Sequence, residues 1–189
     1  MYLIAGLGNP GKDYENTRHN MGFKAIDALA SEYGIEIKKS KFKGLYGTGR
    51  IAGEKVILLK PQTYMNLSGS SIREFAMYFD IPRENLIVIY DDIDIPSRSI
   101  RIRKAGGPGT HNGMKSVVKE LGIQDFPRIR IGIGNSTNED IVDFVVGKIS
   151  KSEQDLLDEA AKAAAAAAAD IIRNGIDNAM NEHNVTYDN

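Results

Sequence analysis

Leu86–Tyr90 (LIVIY) runs directly into Asp91–Pro96 (DDIDIP), and the reading of this stretch decides the fold. A β-branched run that is apolar on both faces belongs in the centre of a sheet covered by helices. Carboxylates just past the end of such a strand stand where open α/β sheets carry their sites. Working outward, Tyr2–Leu7 is a second short apolar run that stops at glycines, and Arg128–Ile133 (RIRIGI) is a third. Ile100–Lys104 alternates Ile with Arg, as a strand with one wet face does. Leu45–Ile51 and Lys55–Lys60 flank Ala52-Gly53-Glu54 and read as a hairpin.

Helices fill the intervals. Phe23, Ile26, Ala30 and Tyr33 recur at helical spacing between Asn20, a candidate N-cap, and Gly34. Another helix follows the Pro61–Gly69 loop and runs to about Phe79, and a third covers about Met114–Leu121. Ser150 or Ser152 caps a long final helix containing the Ala163–Ala169 run, and Asn174-Gly175 ends it before a short helix and a frayed tail. Strands and helices mixed without a linker or repeat predict one α/β domain spanning residues 1–189, a mixed β-sheet flanked by helices. The hairpin places antiparallel strands at one side of it.

The chain has 189 residues and no cysteine, so disulfides, thiolate metal sites and cysteine nucleophiles are excluded. Its length suffices to bury a core without a covalent or metal staple. Three histidines (His19, His111, His183) leave little for a histidine-built metal centre. With no long apolar run and no basic leader before the first apolar segment, the expectation is a cytoplasmic protein that neither spans nor binds a membrane. The net charge of -1 conceals two basic blocks. Residues 38–60 carry seven Lys/Arg against one Asp/Glu, and residues 97–130 carry eight against two. Such blocks in a neutral protein fit either a local anionic partner, such as a phosphate backbone, or solvated faces of a hairpin and a strand.

Two glycine motifs imitate nucleotide sites. GLGNPG (Gly6–Gly11) satisfies G-x-G-x-x-G after a strand, but Pro10 precedes Gly11 and a polar loop runs on to Asn20 where a helix should begin. GGPGTHNGMKS (Gly106–Ser116) lacks the glycine and the Lys-Ser spacing of a P-loop. What it retains is a flexible loop delivering His111 and Asn112 to a helix N-terminus, with Asn112 as a plain cap the simpler reading. Asp91, Asp92 and Asp94 admit a hard-cation site or a single buried acid paired with a histidine. His19 lies in the loop after the first strand, and a His–carboxylate pair without a serine elbow would activate water directly.

Five segments together carry a resemblance over nearly the whole chain. GLGNPGKDYENTRHNMGF (6–23), LLKPQTYMNLSG (58–69), VIYDDIDIP (88–96), GGPGTHNGMKS (106–116) and RIRIGIG (128–134) resemble, in order and spacing, the bacterial-type peptidyl-tRNA hydrolases. One departure is Gly109-Thr110, where that family usually has two glycines before His-Asn-Gly. The resemblance implies hydrolysis of the ester between a peptide and the 3′ ribose of tRNA, freeing tRNA for translation, by a monomer needing no cofactor or protein-bound metal. It implies His19 as catalytic base, Asp91 as the acid that orients it, and Asn9 as the position that separates N-blocked from free aminoacyl-tRNA. Tyr14, Tyr64, Asn66 and Asn112 fall on tRNA- or substrate-contacting positions. Of the basic blocks, the one containing Arg101, Arg103 and Arg130 is expected to meet the acceptor-stem phosphates. A non-catalytic acceptor-stem-binding module and a metal-dependent phosphohydrolase built on Asp91, Asp92 and Asp94 are the alternatives.

Overall fold

Seven strands form one mixed sheet in a computed structural model that describes residues 1–135 and 140–184. The strands are β1 (Tyr2–Gly6), β2 (Lys39–Lys41), β3 (Gly44–Ile51), β4 (Glu54–Pro61), β5 (Leu86–Asp92), β6 (Ile100–Arg103) and β7 (Arg128–Gly132). Their spatial order is β2-β3-β4-β1-β5-β7-β6. β4, β1, β5 and β7 run parallel, so the apolar runs LIVIY and YLIAG occupy the interior, as apolarity on both faces requires. The hairpin closes through Ala52 and Gly53, both at positive φ (51° and 83°) as a tight two-residue turn needs. Antiparallel pairing occurs at both edges rather than one, because β6 returns against β7 as well as β3 against β4. The short β2, which lacks an apolar face, was not legible in the pattern.

Among the described residues six α-helices cover the faces: α1 (Met21–Tyr33), α2 (Ser68–Tyr78), α3 (Asn112–Leu121), α4 (Ile141–Val146), α5 (Lys151–Asn174) and α6 (Ile176–His183). One core lies between the sheet and α1, α5 and α6, and joins Ile4, Leu58, Ile87, Ile89 and Ile131 to Ile26, Leu29 and the alanines of α5. The other lies under α2 and α3, around Leu3, Leu59, Val88, Phe75 and Met114. The alanine run is therefore core: Ala160, Ala161, Ala164, Ala165, Ala167, Ala168 and Ala169 are buried, their small side chains letting α5 lie close on α1. Ser150 is its N-cap, accepting from the Glu153 amide at 3.2 Å. The expected frayed tail at 185–189 lies outside the described residues. Among the described residues, no helix is long and apolar enough to cross a membrane.

Close approach fixes where the loop after β1 goes. A Cβ on Gly22 would stand 2.3 to 2.5 Å from the backbone of Leu7 and Ile89, so only glycine lets the first turn of α1 touch the ends of β1 and β5. That contact delivers the preceding 3₁₀ turn, Arg18–Asn20, to the C-terminal end of β5. Asn20 ends there without a capping hydrogen bond to α1, contrary to its expected role; its amide is engaged elsewhere.

Candidate active site

A cleft of about 620 Å³ opens at the C-terminal ends of β1, β5 and β7. Its floor is polar. Asp91, 2% exposed at the end of β5, accepts from two imidazoles: His19 Nδ1 lies 3.0 and 2.9 Å from its oxygens, and His111 Nε2 lies 3.1 Å from Oδ1. The Met114 amide donates to His111 Nδ1 at 3.2 Å, so the His111 proton is on Nε2. An ionised Asp91 only accepts, so His19 carries its proton on Nδ1 and keeps a lone pair on Nε2. Burial pushes the Asp91 carboxyl upward, but the charges of His19 and His111 and their hydrogen bonds outweigh it and hold the group well below the usual carboxylate range. For His19, burial pushes the pKa down, while the charge and hydrogen bond of Asp91 carry it above the ordinary imidazole value.

Asn9 stands beside this pair with its backbone clamped. Asn20 Oδ1 accepts from the Asn9 amide at 2.8 Å, and Asn20 Nδ2 donates to the Asn9 carbonyl at 2.9 Å. The Asn9 side-chain oxygen accepts from the Met65 amide at 2.8 Å, which leaves its NH2 group as the donor for the cleft. Asn20, the residue next to His19, thus ties the two loops together, a role hidden behind its cap-like position in the sequence.

Most expected residues converge. His19, Asp91, Asn9, Tyr64, Asn66, Asn112 and Arg130 all line the cleft, the Tyr64 ring 60% exposed at its rim. Asn112 is the first residue of α3, and His111, not Asn112, caps that helix. Thr110 adopts no positive φ, and the left-handed turn falls on Gly109 (φ 58°), so the departure from the usual glycine pair leaves the loop unstrained. Tyr14, Arg101 and Arg103 are outside the cleft: Tyr14 belongs to the turn before Arg18, and the two arginines lie on β6. Arg101 faces Arg130 across the β6–β7 pair and Arg103 faces Arg128, which puts four cations on one face of the sheet edge. Arg128 is buried there, donating to the Gln124 carbonyl at 2.6 Å and to that of Gly107 at 3.4 Å.

The acidic run does not form a hard-cation site. Strand alternation turns Asp92 away from Asp91, and its carboxylate takes Arg130 at 3.0 Å and the Asp94 amide at 2.8 Å. Among the described residues the one cluster with metal-ligand chemistry is His19, Asp91 and His111, whose ligand atoms lie within 4.8 Å. One nitrogen of each ring, His19 Nδ1 and His111 Nε2, already meets an Asp91 oxygen at hydrogen-bond distance. An ion at roughly 2 Å from each donor would need those side chains to turn apart. The observed geometry is that of shared protons.

Comparison with known proteins decides the family. A family model described as peptidyl-tRNA hydrolase matches residues 3–189. The chain belongs to the peptidyl-tRNA hydrolase family. It is 54% identical over 184 residues to the peptidyl-tRNA hydrolase of Caldanaerobacter subterraneus subsp. tengcongensis, covering 97% of this chain and 100% of that protein. Against the peptidyl-tRNA hydrolase of Clostridium botulinum it is 53% identical, with 97% and 96% covered. The crystal structure of peptidyl-tRNA hydrolase from Acinetobacter baumannii superposes with a TM-score of 0.92 at 40% identity, covering 98% of this chain and 95% of that one.

Proposed function

We propose that this protein hydrolyses the ester joining a peptide, or an N-blocked amino acid, to the 3′ ribose of tRNA, releasing tRNA for reuse in translation. The observation that carries the reading is His19 lining the cleft with its Nδ1 2.9 Å from a buried carboxylate, a contact that leaves Nε2 as the unprotonated nitrogen. That nitrogen takes the proton of a water attacking the ester carbonyl, and Asp91 stabilises the imidazolium that forms. Asn9, whose oxygen is occupied, offers an NH2 to the blocked amino end of the substrate. Asn66 and Asn112 are the oxyanion donors, since an amide NH2 stabilises negative charge without titrating. Residues 1–189 act as a single catalytic domain, monomeric and cytoplasmic, with no cofactor. The test is release of tRNA from N-acetyl-aminoacyl-tRNA in excess chelator; absence of turnover with intact tRNA binding would favour an acceptor-stem-binding module.

Two predictions belong to substrate binding. Asn66→Ala and Asn112→Ala should each lose about 3 kcal/mol of transition-state stabilisation, read as kcat/KM, if each donates to the oxyanion. A variant with unchanged turnover removes that residue from the assignment. The arginine face of β6 and β7, together with Tyr14 and Tyr64, meets the tRNA backbone. Arg103→Glu should therefore raise KM for tRNA substrates, flatten their sensitivity to salt and spare small esters. Equal losses on both substrates would mean a damaged fold.

A further inference from the structure

The residue before His19 joins the turn that carries the base to the far wall of the cleft. Arg18 Nε and Nη2 form a fork on Glu153 Oε1 and Oε2 at 2.8 and 2.9 Å. Its Nη1 donates to the Phe144 carbonyl at 2.9 Å, and its guanidinium lies 4.1 Å over the Phe144 ring. Phe144 belongs to α4, which lines the cleft with Ile141, Val142, Val145 and Val146. Six residues do not hold a helix by themselves, and only Val145 of α4 is buried. The neighbouring bridge between Thr17 and Lys148 attaches the same two segments. Glu153 occupies the third helical position after Ser150, where a capping-box glutamate would turn back to the cap; its carboxylate goes to Arg18 instead.

We infer that Arg18 is a positioning residue for the reaction: it sets the distance between the His19 turn and the apolar α4 wall, and so fixes where the blocked aminoacyl group lies relative to the base. The inference rests on the functional reading above. Ile141 and Val142 are exposed apolar side chains on that wall, suited to the acyl portion of the substrate rather than to its phosphates. Arginine is needed because its planar fork serves the carboxylate, the carbonyl and the ring together, which a lysine cannot do. Asp91 and His111 do not touch Arg18, so the protonation of His19 is set independently.

The experiment compares wild type with Arg18→Ala, Arg18→Lys and Glu153→Gln on N-acetyl-aminoacyl-tRNA, with amide hydrogen exchange on the same proteins. Expected is a KM raised about tenfold or more in both Arg18 variants, since small misplacements are costly in a positioned complex. Glu153→Gln, on a different element, should raise KM in the same direction, and the acid limb of kcat should stay where it is in wild type. Exchange of the α4 amides should accelerate about tenfold while β5 stays protected. A KM unchanged in all three variants, or a loss confined to kcat with a displaced acid limb, would overturn the inference. Absence of turnover in the wild type would sink the functional reading instead, and the exchange data alone would then decide whether Arg18 holds α4.

Discussion

His19→Ala is expected to lower turnover of N-acetyl-aminoacyl-tRNA by about 10²- to 10⁴-fold, the range a positioned general base supplies. Binding of the tRNA itself should remain within a few-fold, since Arg101 and Arg103 of β6 lie outside the cleft that holds the imidazole. The prediction is sharp because His111 survives the substitution and still donates to Asp91 through Nε2. If His111 could serve as base, most of the rate would persist. Its other nitrogen is occupied by the Met114 amide, so it has no lone pair facing water while that cap is intact. A loss below tenfold would remove His19 from the centre of the mechanism.

Asp91→Asn should be nearly as damaging and should also move the pH profile, with a sign fixed by geometry. In the wild type the carboxylate raises the His19 pKa against the opposing effect of burial, so the rate rises with pH through a value above that of free imidazole, about 6.5. Without the carboxylate, burial remains, and the acid limb should shift to below the ordinary imidazole value. Turnover above that limb should still fall by about 10²-fold or more, because a neutral amide neither fixes the His19 tautomer nor stabilises the imidazolium. An acid limb that stays in place would show that Asp91 is not what tunes His19. Stability should follow the same pair. Asp91, with a lowered folded pKa, contributes above its unfolded value near ~3.9 and loses that contribution as pH falls. His19, with a raised one, contributes fully below ~6.5 and loses its share as pH rises through the folded value. Chemical denaturation across pH should therefore show a maximum from this pair between about 4 and 6.5, absent in Asp91→Asn.

The parts of the molecule legible in the sequence are those whose cause is local. LIVIY and YLIAG are interior strands because apolarity on both faces leaves no other place for them. The Ala52-Gly53 hairpin and the Ser150 cap follow from backbone preferences of a few neighbouring residues. Tyr2–Gly6 ends in a fingerprint that fails as a nucleotide site for an equally local reason: no helix starts at Gly11. By contrast β2 and α4 have too few residues and too little apolar pattern to announce themselves, and their existence depends on partners distant in the chain.

His19 and Asp91 are candidates by residue type and position, and their convergence, 72 residues apart in sequence, is implied only through the family resemblance. The second histidine on the same carboxylate, the Asn20 clamp on Asn9 and the Arg18 link to α4 had no signal of their own. In the sequence Asn20 reads as a helix cap and His111 as a residue that a glycine-rich loop delivers to a helix N-terminus. What the sequence determined by itself was the element inventory apart from β2 and α4, the layered α/β class and a short set of groups capable of the chemistry, because propensity and periodicity act over a few residues. What only the tertiary structure decided was which of those groups share protons. That depends on Gly22 admitting α1 to within contact of β1 and β5, a packing condition no single segment carries.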